Sequence, residues 1–130
     1  PEVLEYDIET FVYARRKPFD LEKFTDFVEQ DWPDEVIRVK GPLWQNANPD
    51  MCYIFEQAGH QMRLMENGLF VDSAPEDEKQ QIIADNPELR DYWDDEVGDR
   101  ETRLCIIGRH MDKDAVVAGL DACLTDWHRA

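Results

Sequence analysis

Residues 6–40, YDIETFVYARRKPFDLEKFTDFVEQDWPDEVIRVK, decide the fold. From Tyr6 to Arg16 the apolar positions Ile8, Phe11, Val12 and Tyr13 are β-branched or aromatic, over a strand-length run that stops at Pro18. Asp20 then makes an N-cap, and Phe19 before it is placed to staple onto Phe24. Leu21, Phe24, Phe27 and Val28 share one helical face, which predicts a helix from about Leu21 to Gln30. Trp32-Pro33 ends it. From Val36 to Lys40 the pattern alternates, with Ile37 and Val39 facing one way and Arg38 and Lys40 the other, as in a half-buried strand bearing two cations.

Downstream, Gly41-Pro42 and Asn46 to Asp50 read as loops, followed by strands at Met51 to Gln57 and His60 to Glu66. Asn67-Gly68 before Leu69-Phe70-Val71 is a type I′ hairpin signal. Residues 71–100 carry eleven acidic side chains against Lys79, Arg90 and Arg100, with Pro75 and Pro87 placed to open short helices, so this segment is expected to be an excursion over the surface. Leu104 to Ile107 is a continuous apolar run, as expected of a central strand covered on both faces. Asp112 then caps a last helix whose stripe is Val116, Leu120, Cys123, Leu124 and Trp127. The order predicts one α+β domain over 1–130: an antiparallel or mixed β-sheet with helices mainly on one face, a ferredoxin-like variant.

Composition narrows the function. A formal charge of −16, from 14 basic and 30 acidic side chains, disfavours nucleic acid as a partner, while 42% hydrophobic residues and 11% aromatics suffice for a core and argue against disorder. No apolar stretch approaches a membrane span, and Cys52, Cys105 and Cys123 are odd in number, unpaired in spacing and set in apolar runs as core filler. A cytoplasmic protein with no membrane partner is expected. Pro1 in place of an initiator Met suggests a segment excised from a longer chain.

The glycines at 41, 59, 68, 98, 108 and 119 form no phosphate-cradling loop, and the one serine, Ser73, lies among acidic residues without a nucleophile signature. No catalytic or cofactor-binding residue is assigned. His60, His110 and His128 are candidate metal ligands only in type: His110, Asp112 and Asp114 straddle a helix start, and Asp94-Asp95-Glu96 reads as a solvated charge run, so no metal site is assigned either. Basic residues are sparse. Arg15, Arg16 and Lys17 end the first strand and Arg38 and Lys40 lie on the second, giving with Trp44 a candidate contact surface for an acidic partner or a phosphate; salt bridges to nearby carboxylates, and a core position for Trp44, are the competing outcomes.

Phe11-Val12-Tyr13 with Arg15-Arg16-Lys17-Pro18-Phe19, Arg38-Val39-Lys40-Gly41 with Trp44, and Gln57-Ala58-Gly59 together resemble the C-terminal domain of the CobW-type P-loop GTPases. Gly98-Asp99-Arg100 before Leu104-Cys105-Ile106-Ile107-Gly108-Arg109, and Met111-Asp112 leading to Leu120-Asp121-Ala122-Cys123-Leu124, look like that domain's closing strand and helix. Asp20-Leu21 stands where the family often has His-Pro, so no role for that His is carried over, and Lys17 stands where Arg is usual.

The resemblance implies an N-terminal GTPase domain in the same polypeptide that holds GTP, Mg and a transition metal, zinc or cobalt. This domain would have no cofactor of its own and no enzymatic activity alone. It would assist a metallochaperone, in a family tied partly to cobalamin biosynthesis, by contacting the GTPase domain, by self-association or by meeting a metalloprotein client. The alternative is an independent ferredoxin-like module binding RNA or a small ligand through the Arg38/Lys40 strand.

Overall fold

The computed structural model describes the backbone of residues 2–3 and the whole of residues 7–129, so the Tyr6 end of the expected first strand lies outside the described residues. Along the chain run β1 (Glu2–Val3), β2 (Ile8–Arg15), α1 (Leu21–Asp26), a π-helical turn (Phe27–Asp31), β3 (Val36–Leu43), β4 (Met51–Ala58) and β5 (Gln61–Leu69). A 3-10 turn (Val71–Ser73), α2 (Glu76–Asp85), α3 (Pro87–Tyr92), β6 (Thr102–Arg109) and α4 (Lys113–Asp121) follow. The strands form one sheet in the order β1-β2-β6-β3-β4-β5, and every pairing is antiparallel. The fold is α+β. β2 and β3 run parallel with α1 between them and β6 inserted, a split βαβ unit. That unit is the feature shared with ferredoxin-like domains; β4 and β5 extend the sheet outward from β3 instead of filling its middle.

The head of the chain folds as its pattern dictates. Asp20 caps α1 by accepting from the Lys23 amide at 3.0 Å, and the Phe19 and Phe24 rings stack at 4.7 Å. The helix continues as the π turn until Trp32, whose extended backbone is what a residue preceding proline adopts. Phe24 on α1, Val116 and Leu120 on α4, and Phe11, Tyr13, Val39, Leu104 and Ile106 on the strands form one buried core, with Phe27 and Val28 packed against it. Thus α1 and α4 cover one face of the sheet. A second, smaller cluster of Trp44, Phe70 and Val97, flanked by Cys52 and Trp127, closes the end where residues 71–100 cross.

Four local expectations are corrected. Gly41-Pro42 is not a loop but the middle of β3, where a Cβ on residue 41 would collide with the Arg103 carbonyl and where Pro42 lies past Lys40, the last position at which β3 pairs with β6. Asn67-Gly68 is not a hairpin turn: β5 runs through it, and Gly68 at φ 99° faces a register shift near Met51, the geometry of a bulge. The hairpin turn is Gly59-His60, with positive φ only at Gly59, as in type II′. A bulge between Val36 and Arg38 buries Val36 and Val39 and leaves Ile37 exposed, which breaks the simple alternation. The last helix stops at Asp121, and Leu124 instead bridges Phe19 in an extended tail that delivers Trp127 to the second cluster.

Candidate interaction surface

The basic residues singled out in the sequence do not form one patch, because neighbouring positions on a strand face opposite ways. Arg15 lies on the helix-covered side, where its Nε and Nη2 donate to the Asp121 carboxylate at 2.9 and 3.1 Å and its guanidinium stacks on Tyr13. Tyr13 donates to the same carboxylate at 2.7 Å. Burial pushes the Asp121 carboxyl up, but the hydrogen bonds from Arg15 and Tyr13 outweigh it and hold the group below the usual carboxylate range. Arg16 donates to the carbonyls of Gly98, Arg100 and Tyr92 and stacks on the Tyr92 ring, pinning the acidic excursion to the end of β2. Lys17 pairs with Asp126 at 3.1 Å, both well exposed. Trp44 is fully buried and its Nε1 donates to the Pro49 carbonyl at 3.1 Å, so it is a core residue and not part of a contact surface.

Arg38 and Lys40 face the other side of the sheet, which α3 reaches only at the Pro42 and Glu101 end, through Tyr92; the α1 and α4 residues of the core pack on the opposite face. Strand register builds that face in rows. Val12, Cys105, Lys40, Glu56 and Arg63 lie side by side across β2, β6, β3, β4 and β5; Thr10, Ile107, Arg38, Ala58 and Gln61 form the next row. Ala14 with Arg103, and Pro42 with Ile54 and Met65, lie toward the other end. Cys105 is exposed and Ile107 half-buried, so the Leu104–Ile107 run is covered on one face only, and Cys105 is not core filler. Val12 is 55% exposed. Among the cations of this face, Lys40 and Arg63 share Glu56 at 3.3 and 2.8 Å, Arg103 reaches Glu101 at 3.2 Å, and Arg38 has no carboxylate partner among the described residues.

The acidic segment is anchored by a node that sequence reasoning missed. Arg100, 3% exposed, donates to Asp72 and Asp50 and stacks on Trp127, while Arg129 and Lys79 also reach Asp72. Burial pushes the Asp72 carboxyl up, but hydrogen bonds from Arg129 and Arg100 more than offset it and hold it below its ordinary value. Asp99 accepts from the Val71 and Asp72 amides at 2.8 and 2.9 Å. A single arginine closing a long acidic run was the available signal. Asp94 is likewise used locally, accepting from the Glu96 and Val97 amides at 2.8 and 3.0 Å to shape a turn.

Asp112 caps α4 by accepting from the Ala115 amide at 3.1 Å, and exposed His110 lies 3.7 Å from Asp7. Among the described residues no three His, Cys, Asp or Glu side chains converge as metal ligands would, and no helix is long and apolar enough to cross a membrane. A groove of about 1010 Å³ runs between the π turn and the β4–β5 hairpin and is lined by Val28, Trp32, Ile37, His60 and Met62. Gln57, fully buried beneath the hairpin, donates to the Val36 and Gly59 carbonyls at 3.3 and 2.7 Å and so locks the turn.

Comparison with known proteins gives three findings. The family model described as the cobalamin synthesis protein cobW C-terminal domain matches residues 8–124. The zinc-regulated GTPase metalloprotein activator 1 of Dictyostelium discoideum is 28% identical over 127 residues, which is 95% of this chain but 26% of that protein. The crystal structure of Zn(II)-bound YjiA GTPase from E. coli superposes with a TM-score of 0.61 at 15% identity, covering 92% of this chain and 30% of YjiA, and a Zn(II)-bound triple mutant of the same GTPase aligns equally well at 16% identity. The chain thus spans between a quarter and a third of the length of the relatives it matches.

Proposed function

The chain belongs to the family of cobalamin synthesis protein cobW C-terminal domains, and from that premise we propose that it is the accessory, contact-making domain of a larger GTP-dependent metallochaperone handling zinc or a related ion such as cobalt. One observation carries this reading: the family match takes in everything from β2 to the end of α4, while the relative named as a zinc-regulated GTPase extends far beyond it, the chain covering 26% of that protein. GTP, Mg and the transported metal are therefore assigned to an N-terminal GTPase domain of the same polypeptide, in a cytoplasmic setting. This domain acts through protein contact, with the GTPase domain, a second copy or a metalloprotein client. The sequence supports the division of labour, since its glycines form no phosphate loop.

The test is nucleotide binding. Calorimetric titration of GTP·Mg into this chain alone is expected to give no heat of binding, while the full-length polypeptide hydrolyses GTP. Saturable GTP binding by the chain alone overturns the assignment.

A further inference from the structure

We propose that the uncovered sheet face receives an amphipathic helix whose apolar stripe is flanked by a row of carboxylates, carried by the GTPase-bearing remainder of the polypeptide; this rests on the function proposed above. The first argument is burial. β6 is written as a strand for two apolar layers, Leu104 and Ile106 toward α1 and α4, Cys105 and Ile107 away from them, yet the described residues supply only the first layer. Val12 beside Cys105 and Thr10 beside Ile107 widen this strip over β2 and β6. An antiparallel sheet can leave a polar face to water, but an apolar strip on its inner strands, such as Val12, Cys105 and Ile107, is what a packed helix covers.

The second argument is charge. On a chain of net charge −16, this face carries Arg38, Lys40, Arg63, Arg103 and Arg109 against the carboxylates of Glu56 and Glu101 among the described side chains. The cations are ordered relative to the apolar strip. Lys40 stands directly across from Cys105 and Arg38 directly across from Ile107, one strand spacing of roughly 4.8 Å from the strip. A helix lying along β2 and β6 therefore points its apolar stripe at Val12, Cys105 and Ile107 and one flank at Arg38 and Lys40. Carboxylates at helical spacing on that flank complete the match. No aromatic side chain occupies the outward positions of these strands, so a single-stranded nucleic acid would find no stacking platform.

Cys105 is a native reporter at the centre of the strip. In the full-length protein, alkylation resolved by peptide mass spectrometry is expected to modify Cys105 at least tenfold more slowly in 50 mM salt than in 1 M salt or in the R38E/K40E variant. Carbodiimide coupling in an E56Q background, which removes the internal carboxylate facing Lys40, is expected to join Lys40 to a Glu or Asp of a helix outside this chain. Three results overturn the proposal: a Cys105 rate that does not depend on salt or on Arg38 and Lys40, a Lys40 crosslink to a second copy, or one to a non-helical segment. Because the E56Q crosslink and the salt dependence need no altered cation, the proposal stays testable if R38E/K40E fails to fold. GTP turnover by the same preparation is read separately, so loss of the GTPase assignment and loss of the docking face are distinguishable.

Discussion

Replacing Asp72 by Asn should cost this protein about 3 kcal/mol or more, and the structure says why. The Asp72 side chain is fully buried and receives Arg100, itself 3% exposed, together with Arg129 at 2.7 Å and Lys79 at 3.4 Å. D72N keeps the shape and one acceptor but leaves the buried Arg100 guanidinium with only the exposed Asp50 carboxylate as charge partner, a change at the lower end of the roughly 3–5 kcal/mol that breaking a buried pair costs. Against a typical total of about 5–15 kcal/mol, that is a large fraction. Urea unfolding followed by Trp fluorescence reads it directly: with a slope of about 1–2 kcal/mol/M, a 3 kcal/mol loss moves the midpoint down by roughly 1.5–3 M. The exposed pair Lys17–Asp126 is the control, and D126N is expected to leave the midpoint in place. The pH dependence has a definite sign. Because the folded carboxyl of Asp72 is held below its unfolded value, its contribution is complete above the unfolded pKa of about 3.9 and is lost as the pH falls through the lower folded value. D72N should therefore flatten the acid limb of the stability curve. A midpoint within about 0.3 M of the parent protein, with an unchanged acid limb, would refute the idea that this node holds residues 71–100 in place.

Gly41→Ala should destabilise by at least about 1–3 kcal/mol in the same assay, since the added methyl has no space against the Arg103 carbonyl in a central strand; an unchanged midpoint would mean that β3 and β6 can part without cost. Among the cysteines, alkylation of the chain near neutral pH should modify exposed Cys105 first, with Cys52 and Cys123 lagging because burial pushes both thiols up; mass mapping that finds Cys123 fastest would contradict the packing of α4.

The split βαβ head of the fold was legible because its signals are local. Asp20 needs only the Lys23 amide three residues on, Phe19 and Phe24 meet across one helical turn, and, farther along, α2 and α3 start beside prolines, Pro75 as the residue before α2 and Pro87 as the first of α3. Where the same chemistry serves two geometries, the local signal misled. Asn67-Gly68 suits a turn or a bulge equally, since both need a positive φ, and only pairing with β4 selected the bulge. Gly41-Pro42 reads as a loop unless β6 is known to run against one side of it.

The contact residues divide in the same way. By itself the sequence determined the element order, the helix starts, the family and the scarcity of cations on an acidic chain, all of which depend on residue type and near-neighbour spacing. Only the tertiary structure decided that Arg15 turns inward to Asp121, that Trp44 is core, and that Arg38 and Lys40 line an uncovered face beside Cys105 and Ile107. Those outcomes rest on strand register between segments more than sixty residues apart, and register sets which face each side chain occupies.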